Sequence, residues 1–488
     1  MKNSKRLARR SYLLFLIGVQ SNIMAAIKPN NFSGSLYFTW ALLLAMKTLF
    51  AQDVAFQPLR YEEDYSRFKN DSSESPYRKI KYIPLDTNRS YLSLGGEVRY
   101  QYFKYKNPGW GTEPKDRDGF ILNRLLVHAD VHIGNRVRIF SQIQSSLIAG
   151  SIGLNSPVDE NPLNIHQLFI DLSLCTKTEK LILIKLGRQE LRYGSQRLIS
   201  VREGPNNRQA FDALRLIFTQ DHVRADAFYS TYVKARNGVF GERFWDNSSQ
   251  LWGSYVALNY ASQFPNLDVY YLGVKNDALF VDGQGTERRH SLGTRLWKKA
   301  RKVTYDFEAV YQFGSLSKSK VKAWTISMDV SRQLETLPLV PLIGLKTELI
   351  SGDKAYDDLR INTFNPLYPR GAYFGLASLI GPYNLSDLHP YIQISLSGKV
   401  TWSVDYDMFW RMSSNDGIYA VNGSLIHDGR NIKVKEIGDQ LGTDVGVQAN
   451  PFLFFSLEFT RFNAGKFLYQ AGMGKDIYMA GFTATIKF

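Results

Sequence analysis

The sequence has no apolar run long enough to cross a bilayer as a helix, and this lack excludes a helical membrane protein. Its apolar stretches SYLLFLIGV (11–19) and LYFTWALLLAM (36–46) fall short of the about 20 residues that a spanning helix needs. Cysteine is almost absent, because Cys175 stands alone, so no disulfide can form within the chain. If the chain beyond residue 51 enters a membrane, it must therefore do so with strands.

The sequence also lacks a concentrated basic region, although its net charge is +15. Lys and Arg are interleaved with Asp and Glu along almost the whole chain, whereas nucleic-acid binding needs a basic stripe or a known module. We therefore expect no nucleic-acid partner; an anionic membrane surface or an anionic ligand suits the charge better. No G-x-x-x-x-G-K-[ST] motif occurs, so we predict no nucleotide cofactor and no energy coupling.

The N-terminal region has the organisation of an export signal. The basic stretch MKNSKRLARR precedes the apolar runs, and each run has the length of a signal-peptide core. We predict a cleaved signal region at 1–51 with cleavage near Ala51–Gln52, in which case Met24 is a candidate for the true start. The alternative is a short N-terminal anchor helix. Residues 52–88 are polar, without a clean period, and are interpreted as a periplasmic extension.

From residue 89 to the C-terminus the dominant pattern is alternation with a period of two, which is typical of β-strands. In GGEVRYQYFKY, Val98 and Tyr100 share one face while Glu97 and Arg99 share the other. The apolar face is rich in aromatic residues, which suit membrane interfaces, and a packed soluble core could not hold the charges of the polar face. About 18 such segments predict an all-β, transmembrane, antiparallel up-and-down barrel at 89–488.

The links between these segments are of two kinds. Short links such as GNR (134–136) and SGK (397–399) contrast with long polar loops at 105–119, 149–163, 188–210, 233–249, 351–372 and 412–435. Short periplasmic turns and long extracellular loops are the pattern of an outer-membrane barrel. The alternative, a soluble propeller or stacked sandwich, is disfavoured because no motif repeats at a fixed period.

The last predicted strand, DIYMAGFTATIKF, ends on Phe488. A final strand whose aromatic residues alternate up to a terminal phenylalanine resembles the assembly signal of bacterial outer-membrane barrels. The resemblance implies outer-membrane lipid as the environment and the barrel-assembly machinery as a partner that is bound through Phe488. We accordingly predict a location in the bacterial cell outer membrane.

Charged residues on the inward face of such a barrel would line a lumen, where they tune selectivity. The alternating pattern places several arginines on the charged face, which would form this lining: Arg99, Arg124, Arg138, Arg289, Arg295 and Arg411. The segment 187–216 adds Arg188, Arg192, Arg197, Arg202, Arg208 and Arg215 between two apolar runs. Acidic residues are interleaved with these arginines, so the alternative for any single one is a cross-strand ion pair that stiffens the wall.

Several separated motifs resemble one family. The pattern GRQEL.YG..RL....EGPN.R..FDA.RL from residue 187 is similar to the alginate-export family of outer-membrane barrels, as are TFNPLYPRGAYFGLASLIGPYNLSDLHP (363–390), DYDMFWRMSSNDGIYAVNG (405–423), RRHSLGTRLW (288–297) and QLWGSYV (250–256). The resemblance covers roughly residues 88–488 and implies a monomeric barrel whose arginine-lined, electropositive constriction passes a polyuronate chain. It assigns the arginines of 188–215, and Arg370 of the second motif, to that constriction.

We therefore expect an outer-membrane channel for passive passage of an anionic polysaccharide, such as an alginate-like polyuronate, or of a related anionic solute. A guanidinium group suits this task because it stays charged and forks onto carboxylates. The alternatives are a general or nutrient-uptake porin for small solutes or oligosaccharides, and a structural or adhesive barrel with a plugged lumen.

Three short patterns were weighed for other chemistry. The H-x-D-x-H at 128–132 places its side chains on one strand face, but residues two apart on a strand are about 6.7 Å apart, which disfavours a metal site. Ser386, Asp387 and His389 are too close in sequence to form a catalytic triad, so we expect no enzyme. The acidic loop SGDKAYDDL (351–359) is interpreted as solvated rather than calcium-binding, and no metal site is predicted.

Overall fold

The computed structural model describes residues 56–488 apart from 72–74, 87–88, 116–117, 152–156, 178–179, 237, 261–263, 281–282, 301 and 356–357. The predicted signal region at 1–51 and its cleavage site lie outside the described residues. Within the described ranges, no helix is long and apolar enough to cross a membrane.

Long antiparallel strands, 18 in number, close into one barrel. They are β1 (Tyr91–Lys106), β2 (Phe120–Ile133), β3 (Val137–Ala149), β4 (Asn161–Lys177), β5 (Lys180–Gln189), β6 (Phe211–Gln220), β7 (Val223–Tyr232), β8 (Ser249–Leu258), β9 (Asn266–Phe280), β10 (Gly283–Lys299), β11 (Val303–Leu316), β12 (Ser319–Gln333), β13 (Leu342–Ile350), β14 (Leu385–Ser395), β15 (Val400–Arg411), β16 (Glu436–Asn450), β17 (Leu453–Ala464) and β18 (Ile477–Lys487). Each strand pairs with the next along the chain, and β18 pairs back onto β1. The predicted all-β up-and-down barrel is confirmed.

Burial along the strands is inverted relative to that of a soluble protein. In β1, Glu97 and Arg99 are each 5% exposed, whereas Val98 and Tyr100 on the alternate positions are only half-buried. On the same outward face of the barrel, Leu292 of β10 is 52% exposed. The charged faces of the strands therefore point into the barrel, and the apolar faces form an outer surface suited to lipid.

The connections at the two ends of the barrel differ in length. The turn end, where β1 begins and β18 ends, carries short turns such as 134–136 and 396–399. The loop end carries the longer segments 107–119, 150–160, 190–210, 233–248, 351–384, 412–435 and 465–476. Two connections there depart from this pattern, because β9 and β10 stay paired out to Phe280 and Gly283, and 317–318 joins β11 to β12 in a tight hairpin.

Short elements accompany the barrel. They are α1 (Pro76–Lys81), α2 (Lys466–Gln470), 3-10 turns at Arg60–Glu62, Ser66–Asn70 and Pro108–Gly111, and strand pieces at Ile83–Pro84, Arg360–Ile361, Ile418–Tyr419 and Leu425–His427. An apolar cluster that includes Leu191, Ile199, Phe364 and Phe409 is buried where loop residues meet inward-facing strand residues. The barrel therefore has an interior core that is built partly by its own loops.

Candidate functional site

One loop crosses the inside of the barrel from wall to wall. This inner loop (residues 190–210) connects β5 to β6, and its Arg197 contacts Glu308 of β11 and Glu348 of β13. Farther along the same loop, Glu203 contacts Arg124 of β2. Because β2 lies roughly half the barrel's circumference from β11 and β13, the inner loop spans the lumen and narrows it.

Arg197 holds the first half of the inner loop against an acidic part of the wall. Its Nε lies 2.9 Å from Glu348 Oε1, and its Nη1 lies 3.3 Å from Glu308 Oε2. Tyr373 and Tyr270 donate hydrogen bonds to the same two carboxylates, at 3.0 and 2.7 Å respectively. Burial by itself would lower the pKa of Arg197, but Glu348, Tyr373 and Glu308 outweigh it and hold the pKa well above its ordinary value.

Glu203 holds the second half of the inner loop against a basic part of the wall. Its carboxylate is hydrogen-bonded to Arg124, and Arg208 lies 3.3 Å away. Arg99 donates 2.8 Å hydrogen bonds to the carbonyls of Glu203 and Pro205. Enclosure within the barrel acts to raise the pKa of Glu203, but the three guanidinium groups outweigh it and hold the pKa well below its ordinary value. Its side chain nevertheless remains 55% exposed, so it faces solvent inside the lumen.

The rest of the EGPN motif explains why this loop is rigid at its second anchor. The Asn206 side-chain amide donates to the carbonyls of Asn123, Leu147 and Asp159 at 3.0–3.1 Å, and the residue is fully buried. No other side chain of similar size presents two such donors to three carbonyls. The motif therefore serves to dock the loop on the neighbouring strands β2 and β3.

A second inner loop (residues 351–384) joins the first. Ser200 N donates to Tyr368 O at 3.0 Å, and Tyr368 N donates to Leu198 O at 2.8 Å, which makes a short parallel bridge between the loops. Gly371 packs so closely against Pro205 that an added Cβ would overlap the proline ring. These contacts join the two inner loops, so that neither can be displaced without the other.

A cavity of about 530 Å³ opens beside this junction. Aromatic rings of Phe103, Tyr105, Tyr232 and Tyr368 line it, together with Arg202. The Arg202 backbone is left-handed, with φ at 54°, and its Nη2 donates to Tyr232 Oη at 3.2 Å. Asp159 also lines the cavity, which is therefore mostly apolar with one guanidinium and one carboxylate, and a few polar groups of this kind are common in sites for organic ligands.

The N-terminal segment (residues 56–71) lies inside the turn end. Arg60 donates to the carbonyls of Gly96 and Phe488 at 2.8 and 3.0 Å. Tyr61 packs edge-on against Phe169 at 5.3 Å and donates to the carbonyl of Glu190 at the start of the inner loop. A segment interpreted from the sequence as a polar extension thus occupies part of the lumen.

Most of the predicted pore arginines are tied to carboxylates or carbonyls. The ion pairs are Arg99–Glu203, Arg124–Glu97, Arg138–Asp130, Arg188–Asp212, Arg197–Glu348, Arg208–Glu190, Arg215–Asp226, Arg289–Glu287 and Arg295–Asp306, and Arg411 bonds to the carbonyls of Asp416, Gly429 and Val434. For these residues the alternative drawn from the sequence, an ion pair that stiffens the wall, describes the geometry. Neighbouring carboxylates and carbonyls therefore already engage the positive charge of these arginines.

Three predicted arginines differ from the others. Arg192, Arg202 and Arg370 are half-buried and form no ion pair with any carboxylate among the described residues. Arg192 and Arg202 belong to the inner loop, while Arg370 belongs to the second inner loop and stacks its guanidinium 5.0 Å from the Tyr373 ring. The net positive charge available to a solute therefore sits on the loops rather than in a ladder along the wall.

The wall itself carries a row of inward-facing acids on one side. Half-buried carboxylates without an arginine partner among the described residues lie at Asp329, Asp405, Asp444 and Glu458, on β12, β15, β16 and β17. Asp329 and Asp444 were not singled out from the sequence, although their phase within alternating segments gave a usable signal. The lumen is therefore mixed in charge, with three arginines on the loops that form no ion pair among the described residues and several carboxylates on one side of the wall.

The shorter sequence patterns resolve into structural roles. Ser386 points to the outward face of β14, opposite to Asp387 and His389, as its pairing with exposed Leu349 shows, so these three residues form no triad. In the H-x-D-x-H pattern of β2, Asp130 is held by Arg138 through two 2.7 Å hydrogen bonds.

The matching family model confirms the resemblance drawn from the motifs: the model for alginate export matches residues 90–480. The chain belongs to the alginate export family. No curated protein matches the chain. Members of this family are channel proteins rather than enzymes, and the barrel indicates a bacterial outer membrane.

Several solved structures have a fold similar to that of this alginate export family member. Pseudomonas aeruginosa OccD3 (OpdP) is similar with a TM-score of 0.54 and 12% identity, over 83% of this chain and 92% of that one. P. aeruginosa OccK2 (OpdF) in complex with glucuronate gives 0.52 and 10%, over 83% and 99%. P. aeruginosa OpdK with vanillate gives 0.51 and 10%, over 81% and 98%. At such low identity the likeness concerns the fold, an outer-membrane porin barrel.

Proposed function

We propose that this protein is a passive channel for an anionic polysaccharide of the alginate type, or for a related anionic solute. The observation that carries the proposal is that Arg202 and Arg370, at the junction of the two inner loops, have no carboxylate partner among the described residues. A solute carboxylate can fork onto a free guanidinium, which it cannot do where a wall carboxylate already occupies that group.

The surroundings of these arginines suit a passing chain rather than a tight binding site. Arg202 stands at the edge of the aromatic-lined cavity, and Arg192 lies ten residues earlier on the same inner loop. Conduction requires sites that attract the solute but release it again. A few separated cations in a lumen that also carries wall carboxylates meet that requirement, because the carboxylates repel an anion that would otherwise stay bound.

The test is the ion selectivity of the channel in a planar bilayer at low salt. One unit charge attracts an anion about 6 Å away by about 0.7 kcal/mol in water, a factor of about three in local concentration. The variant R202A/R370A removes two such charges, so we expect the anion conductance to fall about tenfold and the anion-to-cation permeability ratio to fall at least as far. The matched control is R138Q/D130N, which removes a wall pair that contacts neither inner loop, at constant net charge, and should leave the ratio unchanged. An unchanged ratio in R202A/R370A would refute the proposed role of the loop arginines.

A second candidate is uptake of small carboxylate solutes. It is favoured by the ligands in the structures of two similar barrels, glucuronate and vanillate, which are both carboxylates. Uronate oligomers of increasing length, added to one side of the bilayer, separate the two functions. Current block that strengthens with oligomer length supports polysaccharide passage, whereas block by glucuronate alone supports the small-solute porin.

We also propose that the chain assembles as a monomer through recognition of Phe488 by the barrel-assembly machinery. The backbone of Phe488 closes the barrel by exchanging hydrogen bonds of 2.8 and 3.0 Å with Gly96. Deletion of Phe488 should reduce the folded, heat-modifiable band in outer membranes while refolding of the purified chain in detergent continues. Equal loss in both settings would indicate a structural role instead.

A further inference from the structure

Two neighbouring strands bring a carboxylate–imidazole–carboxylate group together inside the barrel. Asp387 and His389 stand on one face of β14, and Asp407 stands on β15. The pairs Leu388↔Met408 and Tyr391↔Asp405 fix the register that sets Asp407 opposite His389. One oxygen from each carboxylate and one ring nitrogen lie within 4.8 Å of one another.

These three side chains are buried, and three of their four carboxylate oxygens lack a well-aligned donor. Asp387, His389 and Asp407 are 4%, 7% and 0% exposed. Neither oxygen of Asp407 accepts a well-aligned hydrogen bond from a described residue, and neither does Asp387 Oδ1. His389 Nδ1 lies 2.9 Å from Asp407 Oδ2, so the imidazole is in direct contact with one of the two carboxylates. Burying two carboxylates with one such partner costs several kcal/mol unless a further cation compensates them.

The neighbouring strands place no further cation in direct contact with these carboxylates. Lys346 of β13 is paired with His389 in the ladder, but its Nζ lies over the Tyr391 ring at 4.7 Å and makes no ion pair with a described carboxylate. Glu348, paired with Asp387, brings a further carboxylate, which Arg197 already engages. Asp405 of β15 adds another carboxylate 3.3 Å from His389 Nε2. Even a protonated imidazole therefore leaves this cluster with an excess of negative charge.

We propose that Asp387, His389 and Asp407 bind a divalent transition-metal ion such as Zn²⁺. Two carboxylate oxygens and one imidazole nitrogen are a common ligand set for such ions, whereas Mg²⁺ and Ca²⁺ prefer oxygen alone. Ligands about 2.0–2.2 Å from a tetrahedral ion stand about 3.4 Å apart, so side-chain adjustments of about 1 Å complete the site. The ion would neutralise the cluster and cross-link β14 to β15. This inference is independent of the identity of the transported solute.

The experiment measures metal binding by the full folded barrel in detergent. Chelator-stripped protein is dialysed against Zn²⁺, and bound metal is quantified by mass spectrometry. We expect one equivalent on the natural sequence and an at least tenfold weaker affinity in D407N. The matched control is D444N, which removes an inward-facing carboxylate of β16 outside the cluster and should retain the metal. H132Q tests the H-x-D-x-H pattern of β2 and should also retain it.

A spectroscopic measurement on the natural sequence tests the same site without relying on a variant that folds. X-ray absorption of zinc bound to the natural sequence should show nitrogen and oxygen ligands with the scattering pattern of one imidazole, and H389Q should lose that pattern. Absence of stoichiometric zinc on the natural sequence would overturn the proposal. Zinc that is bound equally by D407N and H389Q would overturn it as well, because the ion would then lie elsewhere.

Discussion

Arg197 is predicted to be the residue that keeps the inner loop across the lumen. In the variant R197A, Glu308 and Glu348 remain at the wall, with side chains 4% and 5% exposed and without their guanidinium partner. Removing one member of a buried ion pair costs about 3–5 kcal/mol, since the remaining charge stays buried and uncompensated. Because about 1.36 kcal/mol corresponds to a tenfold change in an equilibrium constant, this loss weakens docking of the loop by about 150- to 5,000-fold.

Hydrogen exchange of the detergent-solubilised barrel measures this docking directly, because protected amides exchange only when the loop opens. The reporters are Ser200 N, bonded to Tyr368 O at 3.0 Å, and Tyr193 N, bonded to Ile199 O at 3.2 Å. We expect their exchange in R197A to accelerate by the factor given above, while amides of the wall strands stay protected. Unitary current in a bilayer should become larger or noisier in the same variant.

Two further variants decide whether the charge pairing is the cause. The triple variant R197A/E308Q/E348Q removes the stranded negative charges and should recover most of the protection. R138A is the matched control, since Arg138 pairs with Asp130 on the wall and has no partner in the inner loop among the described residues. If R197A exchanges within threefold of the natural protein, or if R138A opens the loop equally, the anchoring role of Arg197 is refuted.

Three other predictions concern the inner loops, Lys81 at the end of α1, and the N-terminal segment. G371A should separate the two inner loops at a cost of about 1–3 kcal/mol, because its Cβ would overlap Pro205, whereas G398A, with open space around its Cβ, should leave the thermal unfolding temperature unchanged. Burial is the largest cause that lowers the pKa of Lys81 to about 7, and the positive charge of Arg60 is the next. Between pH 7 and the ordinary pKa of 10.5, the folded state has therefore lost a proton that the unfolded state keeps. Stability should therefore be full above the ordinary value and decline as pH falls toward 7, and K81M should flatten this dependence in thermal melts. Deletion of residues 56–71 should raise single-channel conductance, and an unchanged conductance would show that the N-terminal segment lies outside the ion path.

The sequence by itself determined the barrel. Period-two alternation with charges on one face and aromatic residues on the other has one stable solution in a membrane, in which every backbone group is paired and no sheet edge remains. Segments such as GGEVRYQYFKY therefore specified both the strands and the direction in which Glu97 and Arg99 point. The family followed from motifs that are contiguous in sequence, which the family match at 90–480 confirms.

Only the tertiary structure decided which arginines remain available to a solute. Arg188 and Arg202 look alike in the sequence, yet Arg188 is locked by Asp212 across a strand pair, whereas Arg202 has no carboxylate partner among the described residues. The partner of Arg197 lies 151 positions away, and strand phase cannot reveal a contact made by a loop that crosses the lumen. Pairing between distant residues depends on how the loops fold into the barrel. Neither the composition nor the period of a segment shows which wall residues its loop will contact.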